Sequence, residues 1–220
     1  MLSVLKGWFG EKLATVGMWL RLDESVYRRI HDIIIPVRDG TTQIDHILVS
    51  VFGVFVIETK NMQRWIFYGE NDRTWCQSIY GHKTRFQNPL RQNYRHVECL
   101  AEFLKLDRRF FHSVVFFIGE CEFKTPMPAN VLASGLSAYV QSFETPILSQ
   151  AQVVELEQKL RDAKTSNGLS KSDHLASLER RHSSKDVCPR CGGTMIPRIT
   201  RSSGKRFLGC SNFPGCRYII

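Results

Sequence analysis

The sequence has no long apolar run and no pattern typical of a secretory leader. Its apolar stretches fall short of the roughly 18 residues that a membrane-spanning helix requires. Residues 1–22 are apolar, but Lys6, Glu11 and Lys12 interrupt them, whereas a signal peptide has a basic start and an unbroken apolar centre. We interpret this segment as an amphipathic helix, and we expect a cytoplasmic protein without a membrane partner.

The chain also lacks the even set of cysteines that would indicate a disulfide framework. It has seven cysteines, of which Cys76, Cys99 and Cys121 are scattered and the other four lie close together near the end. An odd count in a chain without a leader favours reduced thiols and a metal site. We expect the three scattered cysteines to be core residues.

Acidic residues are absent from the last segment, 188–220. The whole chain carries a net charge of +9, and this short segment supplies most of the excess. A basic module attached to a nearly balanced domain indicates a polyanionic partner. The basic residues are Arg190, Arg198, Arg201, Lys205, Arg206 and Arg217.

The rest of the chain can build a hydrophobic core, since hydrophobic residues make up 43% of the sequence. Apolar runs predict strands at 42–50, 54–60, 65–69, 112–119 and 131–134. Asn88 and Pro89 are typical of a helix start, and Ser149 with Gln152 predicts a capping box for a last helix that ends near residue 163. This order of elements predicts an α/β domain with a mixed sheet flanked by helices.

Three regions follow from the composition. Residues 1–163 form the main domain, and residues 164–187 are rich in Ser, Lys, Arg and Asp, which is typical of a linker. Within that linker, residues 172–181 could form a short helix. Residues 188–220 form the basic, cysteine-containing module.

The four clustered cysteines have the spacing of a zinc ribbon. Cys188 and Cys191 form a CPxC turn, 18 residues follow, and Cys210 and Cys216 enclose five more. Four thiolates in a tetrahedron favour Zn²⁺, and a unit this small needs a metal for much of its stability. A closed four-cysteine site has no open position, so this zinc is expected to be structural.

The module as a whole resembles the C-terminal zinc finger of bacterial type IA DNA topoisomerases. The shared features are CPxCG, the basic run, the stretch FLGCSNFPxC and the closing Arg217-Tyr218. The resemblance covers 188–220 and implies a DNA-binding accessory module that prefers single strands. Its expected DNA contacts are Arg198, Arg201, Lys205, Arg206 and Arg217.

A second candidate site lies on the predicted hairpin of 42–50 and 54–60. Two-residue loops at Val51-Phe52 or Phe52-Gly53 give different registers, and either places Asp45, Glu58 and Lys60 on one face. Two carboxylates opposite each other repel, and a Mg²⁺ or Mn²⁺ ion would remove that conflict. The same pattern also fits a strand end where Glu58 and Lys60 meet water and Asp45 makes a surface ion pair.

Longer stretches around the hairpin resemble the nuclease-related domain family, which belongs to the restriction-endonuclease-like PD-(D/E)XK superfamily. The resemblance covers about residues 7–163 and is carried by Gln43-Ile44-Asp45-His46, Ile57-Glu58-Thr59-Lys60-Asn61 and Asn88-Pro89-Leu90-x-Gln92. It implies a restriction-endonuclease-like fold, with Asp45 and Glu58 as metal ligands and Lys60 as the catalytic lysine. Glu11 and Gln92 are further catalytic candidates by the same resemblance.

Other charged residues near the second motif allow two interpretations. Lys83, Arg85, Arg91 and Arg95 surround the predicted helix start at Asn88. They fit phosphate contacts, and they fit a solvated basic face equally well.

Together these features predict a metal-dependent DNA nuclease with a zinc-ribbon DNA-binding module, acting in DNA processing or repair. One alternative is a catalytically inactive adaptor that binds DNA. Another is a ribbon that docks a protein partner such as RNA polymerase. Steep weakening of binding by salt is expected only for DNA contact through Arg and Lys.

Overall fold

A computed structural model of the chain describes residues 22–69, 72–166, 168–183, 186–188, 193–200 and 204–220. These residues form the mixed α/β fold that the sequence predicts. The strands are β1 (Arg28–Val37), β2 (Gly40–Ser50), β3 (Gly53–Asn61), β4 (Arg64–Phe67), β5 (Thr74–Ile79), β6 (His82–Gln87), β7 (Phe111–Ile118), β8 (Cys121–Phe123), β9 (Val131–Leu132), β10 (Met195–Ile199) and β11 (Arg206–Cys210). The helices are α1 (Pro89–Leu104), α2 (Leu136–Gln141), α3 (Gln150–Ser166) and α4 (Lys171–Ser183), with a 3-10 turn at Arg108–Phe110.

The main sheet has five strands in the order β1-β2-β3-β7-β9. The first three strands are antiparallel, and β7 and β9 run parallel to β3. The strand β3 is therefore central, and both of its faces are covered. Val54 and Val56 pack beneath α1 and α3, whereas Phe55 and Ile57 pack on the other face with α2. This alternation follows from the two-residue period of a strand.

A second sheet has the order β6-β5-β4-β8. Its inner face packs against β7, where the rings of Trp75 and Phe117 stack with centroids 6.0 Å apart. The sequence analysis predicted β4 but not the β5–β6 hairpin. The turn of that hairpin, Tyr80-Gly81, has φ values of 48° and 85°, which is the backbone that a two-residue hairpin turn requires.

The helix α1 begins where the sequence predicts. The Asn88 side chain accepts hydrogen bonds from the backbone N–H groups of Leu90 and Arg91, and Pro89 occupies the first turn. Asn93 is fully buried one turn later, and its Nδ2 donates to the carbonyl oxygens of Val56 at 2.8 Å and Val114 at 3.0 Å. These bonds fix the first half of α1 against β3 and β7.

The predicted capping box of α3 is also present. The backbone N–H of Ser149 donates to Oε1 of Gln152 at 2.9 Å, and the N–H of Gln152 donates back to Oγ of Ser149 at 3.3 Å. The segment assigned to the linker contains α4, which packs against β2 through polar contacts. Thr41 bonds both Ser177, at 2.8 Å, and His174, at 2.9 Å.

The C-terminal module is a hairpin of β10 and β11, paired from Met195↔Cys210 to Ile199↔Arg206. The end of the chain returns along β11, since Leu208 and Ile220 exchange backbone hydrogen bonds. Among the helices of the described residues, none is long and apolar enough to cross a membrane.

Candidate metal-dependent active site

The β2–β3 hairpin has the first of the two predicted registers. Its pairs run from Ser50↔Gly53 to His46↔Ile57, with Val51-Phe52 as the turn. The ladder therefore ends one residue before Asp45 and Glu58. His46 is buried and forms an Nδ1–Nδ1 hydrogen bond of 2.6 Å with His31, so it is a packed, hydrogen-bonded histidine.

Glu58 is the buried carboxylate of the site, with a relative exposure of 4%. Its Oε1 accepts a hydrogen bond from Nζ of Lys60 at 2.7 Å. Its Oε2 lies 3.7 Å from Nε2 of His96 on α1. A buried carboxylate is costly unless it is paired, so the interpretation of this strand end as a solvated surface is wrong for Glu58.

Lys60 connects the strand to the helix. Its Nζ also donates to Oε1 of Gln92 at 2.9 Å, and its side chain is only 18% exposed. Gln92 lies in the first turn of α1, where Asn93 holds the helix against β3. The structure thus brings together three of the predicted residues, Glu58, Lys60 and Gln92.

Asp45 is hydrogen-bonded to Thr59, the residue that follows Glu58 on β3. Both the backbone N–H and the hydroxyl of Thr59 donate to its Oδ2, at 3.0 Å and 2.6 Å. The carboxylate therefore lies alongside the end of β3 in a fixed position. The sequence analysis did not select Thr59. Its position between Glu58 and Lys60 is the only feature of the sequence that could have indicated a role at the site.

His96 is a second residue that the sequence analysis did not assign to the site. It is buried, and burial lowers its pKa from 6.5 to about 4, although the negative charge of Asp45 acts in the opposite direction. The imidazole is therefore neutral at pH 7. Within the described part of the chain its Nδ1 is buried without a hydrogen-bond partner. His96 lies four residues after Gln92, which places both on one face of the helix. This spacing is the feature of the sequence that could have identified His96.

Three of the four predicted basic residues near the start of α1 lie in different environments. Arg95 is buried, and its Nη2 donates to both carboxylate oxygens of Asp39 at 2.7 and 2.8 Å, so it is a structural residue and not a phosphate contact. Lys83 and Arg85 are exposed on β6. Glu11 lies outside the described residues, and its role stays a prediction.

Three of the four zinc-ribbon cysteines form one buried cluster. The Sγ atoms of Cys188, Cys210 and Cys216 lie within 4.8 Å of one another, and those of Cys188 and Cys216 are 3.7 Å apart. Tetrahedral Zn–S bonds of about 2.3 Å place sulfurs about 3.8 Å apart, so these residues fit a structural zinc. Cys191 lies outside the described residues.

The basic residues of the ribbon lie on and beside its hairpin. Lys205, Arg206 and Arg217 are exposed, whereas Arg198 crosses Gly209 and lies 5.6 Å from the ring centroid of Phe213. Phe213 is 57% exposed, and Tyr218 packs against the cysteine cluster. Arg201 lies outside the described residues.

Comparisons with known proteins match both parts of the chain. A nuclease-related domain model matches residues 6–118, and a model of the topoisomerase DNA-binding C4 zinc finger matches residues 185–220. No solved structure matches the chain.

Individual relatives show the same division. An uncharacterized protein of Bacillus anthracis is 44% identical over 96 residues, which are 43% of this chain and 45% of that protein. DNA topoisomerase 1 of Pyrococcus horikoshii is 55% identical over 29 residues, 13% of this chain and 4% of that enzyme. DNA topoisomerase 1 of Mycoplasma pneumoniae is 47% identical over 31 residues, 14% of this chain and 4% of that enzyme.

The chain therefore matches less than half the length of each of these relatives. The zinc-finger match is to residues 185–220. The larger match covers the strands and the helix that carry Asp45, Glu58, Lys60 and Gln92. The chain belongs to the nuclease-related domain family and ends in a topoisomerase-type zinc ribbon.

Proposed function

We propose that the chain is a Mg²⁺- or Mn²⁺-dependent nuclease that hydrolyses phosphodiester bonds in DNA. The observation that carries this proposal is the position of Lys60 Nζ, bonded to Glu58 at 2.7 Å and to Gln92 at 2.9 Å. An ion pair of a lysine with the buried carboxylate of Glu58 is costly if the lysine has only a structural role. An ammonium group held in this position is suited to contact an anionic phosphate.

Asp45 and Glu58 are the proposed ligands of the divalent cation. Both offer hard carboxylate oxygens, which Mg²⁺ and Mn²⁺ prefer, and Mg²⁺ is commonly held by one or two carboxylates together with substrate phosphate. The bound cation would polarise the scissile phosphate and lower the pKa of a water molecule. Thr59 would keep Asp45 in place through its two hydrogen bonds.

Lys60 would stabilise the negative charge that develops on the phosphoryl oxygens. Glu58 and Gln92 hold its ammonium group before the substrate arrives, so little reorganisation is needed during the reaction. The oxygen of the attacking water forms the new bond to phosphorus and gives up a proton to solvent, while the bond from phosphorus to the 3′-oxygen breaks and that oxygen takes up a proton. The products would carry a 5′-phosphate and a 3′-hydroxyl, as is usual in the superfamily that the sequence resembles.

The zinc ribbon would supply DNA affinity rather than chemistry. The exposed Lys205, Arg206 and Arg217 can contact phosphates, and the exposed ring of Phe213 can stack on an unpaired base. Tethering this module to the catalytic domain raises the local DNA concentration at the site.

The test is cleavage of plasmid, linear duplex and single-stranded DNA by the full chain, with and without Mg²⁺ or Mn²⁺. The matched variants are Asp45→Ala and Lys60→Ala at the site and Lys159→Ala on the exposed side of α3. Cleavage that needs the metal and is lost only in the two site variants supports the proposal. Cleavage that is metal-independent, or unchanged in both site variants, contradicts it.

If the chain binds DNA but cleaves no substrate with either metal, it is instead the catalytically inactive, DNA-binding adaptor that the sequence also allows. In that case the Lys60→Ala variant would bind DNA as the parent does, and the ribbon would be the functional module.

A further inference from the structure

The outer face of the four-stranded sheet carries two rows of side chains that combine aromatic and basic groups. The register pairs Phe67 with Cys76 and Cys76 with Arg85, and it pairs Trp65 with Ser78 and Ser78 with Lys83. Residues paired across strands project from the same face. Each row therefore runs from an aromatic ring on β4, across a small residue on β5, to a cation on β6.

The opposite face of this sheet is the buried one, which leaves the two rows on the solvent side. Ile66 and Trp75 belong to the core cluster that includes Phe117, and Phe86 packs against that cluster. These residues alternate in sequence with those of the two rows. By contrast Lys83 and Arg85 are exposed and Phe67 is half-buried. Trp65 is 47% exposed, but Nζ of Lys124 already lies 4.9 Å from its ring centroid, and Glu122, the ion-pair partner of Lys124, is its neighbour on β8. Ser78 between Trp65 and Lys83 is buried.

A cavity of about 750 Å³ lies over this face, and Phe67, Cys76, Lys83 and Arg85 line it. The other charged residues in its described lining are Arg73 and Asp72. With Lys83 and Arg85, the cavity is therefore lined by three cations and one carboxylate. Within the described part of the chain, the side chains of Lys83 and Arg85 form no hydrogen bond or ion pair with other residues. Unneutralised cations next to the half-buried ring of Phe67 fit a polyanion that also offers flat aromatic surfaces.

Arg73 connects this cavity to the zinc ribbon. Its Nη2 donates to the carbonyl oxygen of Ile219 at 3.1 Å, and its guanidinium lies 5.1 Å from the centroid of the Tyr218 ring. A ligand on the outer face can therefore continue onto the ribbon.

Arg73 is also connected to the candidate active site, through the N-terminal cap of α1. Its carbonyl oxygen accepts a hydrogen bond from the backbone N–H of Asn88 at 3.1 Å. Asn88 caps the helix whose first turn carries Gln92, the residue that bonds Lys60. Arg73 thus lines the cavity over the outer face and contacts both the zinc ribbon and the start of α1.

We propose that the outer face of the four-stranded sheet binds a single DNA strand, with Lys83 and Arg85 on its phosphates and Phe67 stacked on a base. This inference extends the proposed function by naming the form of its substrate, and it rests on that function for the choice of DNA. Base stacking of this kind requires an unpaired base, so a duplex should not use the Phe67 ring.

The test measures binding of a labelled single-stranded oligonucleotide and of its duplex to the full chain across a series of salt concentrations. All proteins carry Lys60→Ala and no divalent cation is added, so the DNA is not consumed. The variant is Lys83→Ala with Arg85→Ala, and the control with the same charge change is Lys159→Ala with Arg161→Ala on α3. We expect the slope of log affinity against log salt for the single strand to fall by about 1.4, since each single-strand phosphate contact contributes about 0.7. The control should keep the parent slope.

A third variant, Phe67→Leu, removes the ring and keeps an apolar side chain. Stacking is worth about 1–3 kcal/mol per base, so single-strand affinity should fall at least about fivefold while duplex affinity stays unchanged. Thermal unfolding of each variant establishes that it is folded.

An unchanged salt slope in the double variant would overturn the inference, and so would an equal loss of single-strand and duplex affinity in Phe67→Leu. Cleavage is scored separately on proteins with Lys60 intact. Absent cleavage together with the expected binding results would defeat the proposed function and leave this surface established.

Discussion

Nζ of Lys60 lies 2.7 Å from Oε1 of Glu58, two residues earlier on the same strand. Residues two apart on a strand share a face, so their contact follows from local structure. The contact of Lys60 with Gln92 at 2.9 Å depends instead on how α1 packs on β3. The site therefore combines a local pair with a helix that the fold brings to it.

The hydroxyl of Thr59 is expected to position the proposed ligand Asp45. Thr59→Val keeps the backbone N–H donor but removes the hydroxyl bond of 2.6 Å. The metal concentration for half-maximal cleavage should rise about tenfold, because one hydrogen bond to a charged group is worth about 1.5–3 kcal/mol and part of that is lost to water in the variant. Thr59→Ser should restore the parent value. An unchanged metal requirement in Thr59→Val would contradict this role.

Asn93 is expected to be the main polar support of the site. Its Nδ2 bonds two carbonyl oxygens and Oγ of Ser113, at 2.8 to 3.0 Å. Asn93→Ala removes these buried hydrogen bonds, so the free energy of unfolding should fall by about 1–3 kcal/mol. The control is Asn130→Ala, since Asn130 makes one bond of 3.0 Å to the Ser113 carbonyl and its loss should cost less. Urea denaturation measures both, and equal losses would contradict the prediction.

Protonation of His96 is expected to destabilise the fold in acid. Burial lowers its pKa in the folded chain from 6.5 to about 4, so between these values the unfolded chain binds more protons. The stabilisation is fully present above pH 6.5 and is lost as the pH falls toward 4. The difference corresponds to about 3 kcal/mol.

The measurement is urea denaturation of the parent and of His96→Gln from pH 7 down to pH 4, without added metal. The parent should lose more stability over this range than the variant, which lacks the titrating group. Identical pH dependence of the two proteins would show that His96 does not titrate in this way.

Zinc is expected to hold the ribbon together. Cys210→Ser removes one of the clustered thiolates, so the content of bound zinc should fall from one per chain and the ribbon should unfold. Cys76→Ser, a cysteine outside the cluster, should keep the zinc. Metal analysis together with limited proteolysis of residues 186–220 tests this, and full zinc content in Cys210→Ser would be the contrary result.

The sequence predicted the parts of the fold that rest on local signals. The alternation in 42–50 and 54–60 gave the hairpin and the shared face of its residues, and Asn88-Pro89 gave the start of α1. The β5–β6 hairpin was missed because its strands are short and mostly polar on one face. The short helix at 172–181 could be predicted, but the packing of α4 against β2 could not, because its contacts to Thr41 are hydrogen bonds of His174 and Ser177, which apolar periodicity does not detect.

The same distinction applies to the candidate site. The pairing of Glu58 with Lys60 could be predicted from the strand period alone. The placement of Asp45 on the same face stays a prediction, and the structure bonds its carboxylate to Thr59. The contacts of His96 with Glu58 and of Thr59 with Asp45 could not be predicted, because they depend on the packing of α1 and on the point where the β2–β3 ladder ends. The role of Gln92 came only from the family resemblance, and the structure places it within hydrogen-bonding distance of Lys60.

The central claim is that Lys60 acts in metal-dependent DNA cleavage. Its most direct test is the single-turnover rate of cleavage of single-stranded DNA by the full chain and by Lys60→Met, at saturating Mg²⁺ and with DNA binding measured in parallel. Removing a preorganised charge of this kind costs about 10²- to 10³-fold in rate, so the variant should lose that much while it binds DNA as the parent does. A variant that cleaves at the parent rate would contradict the account.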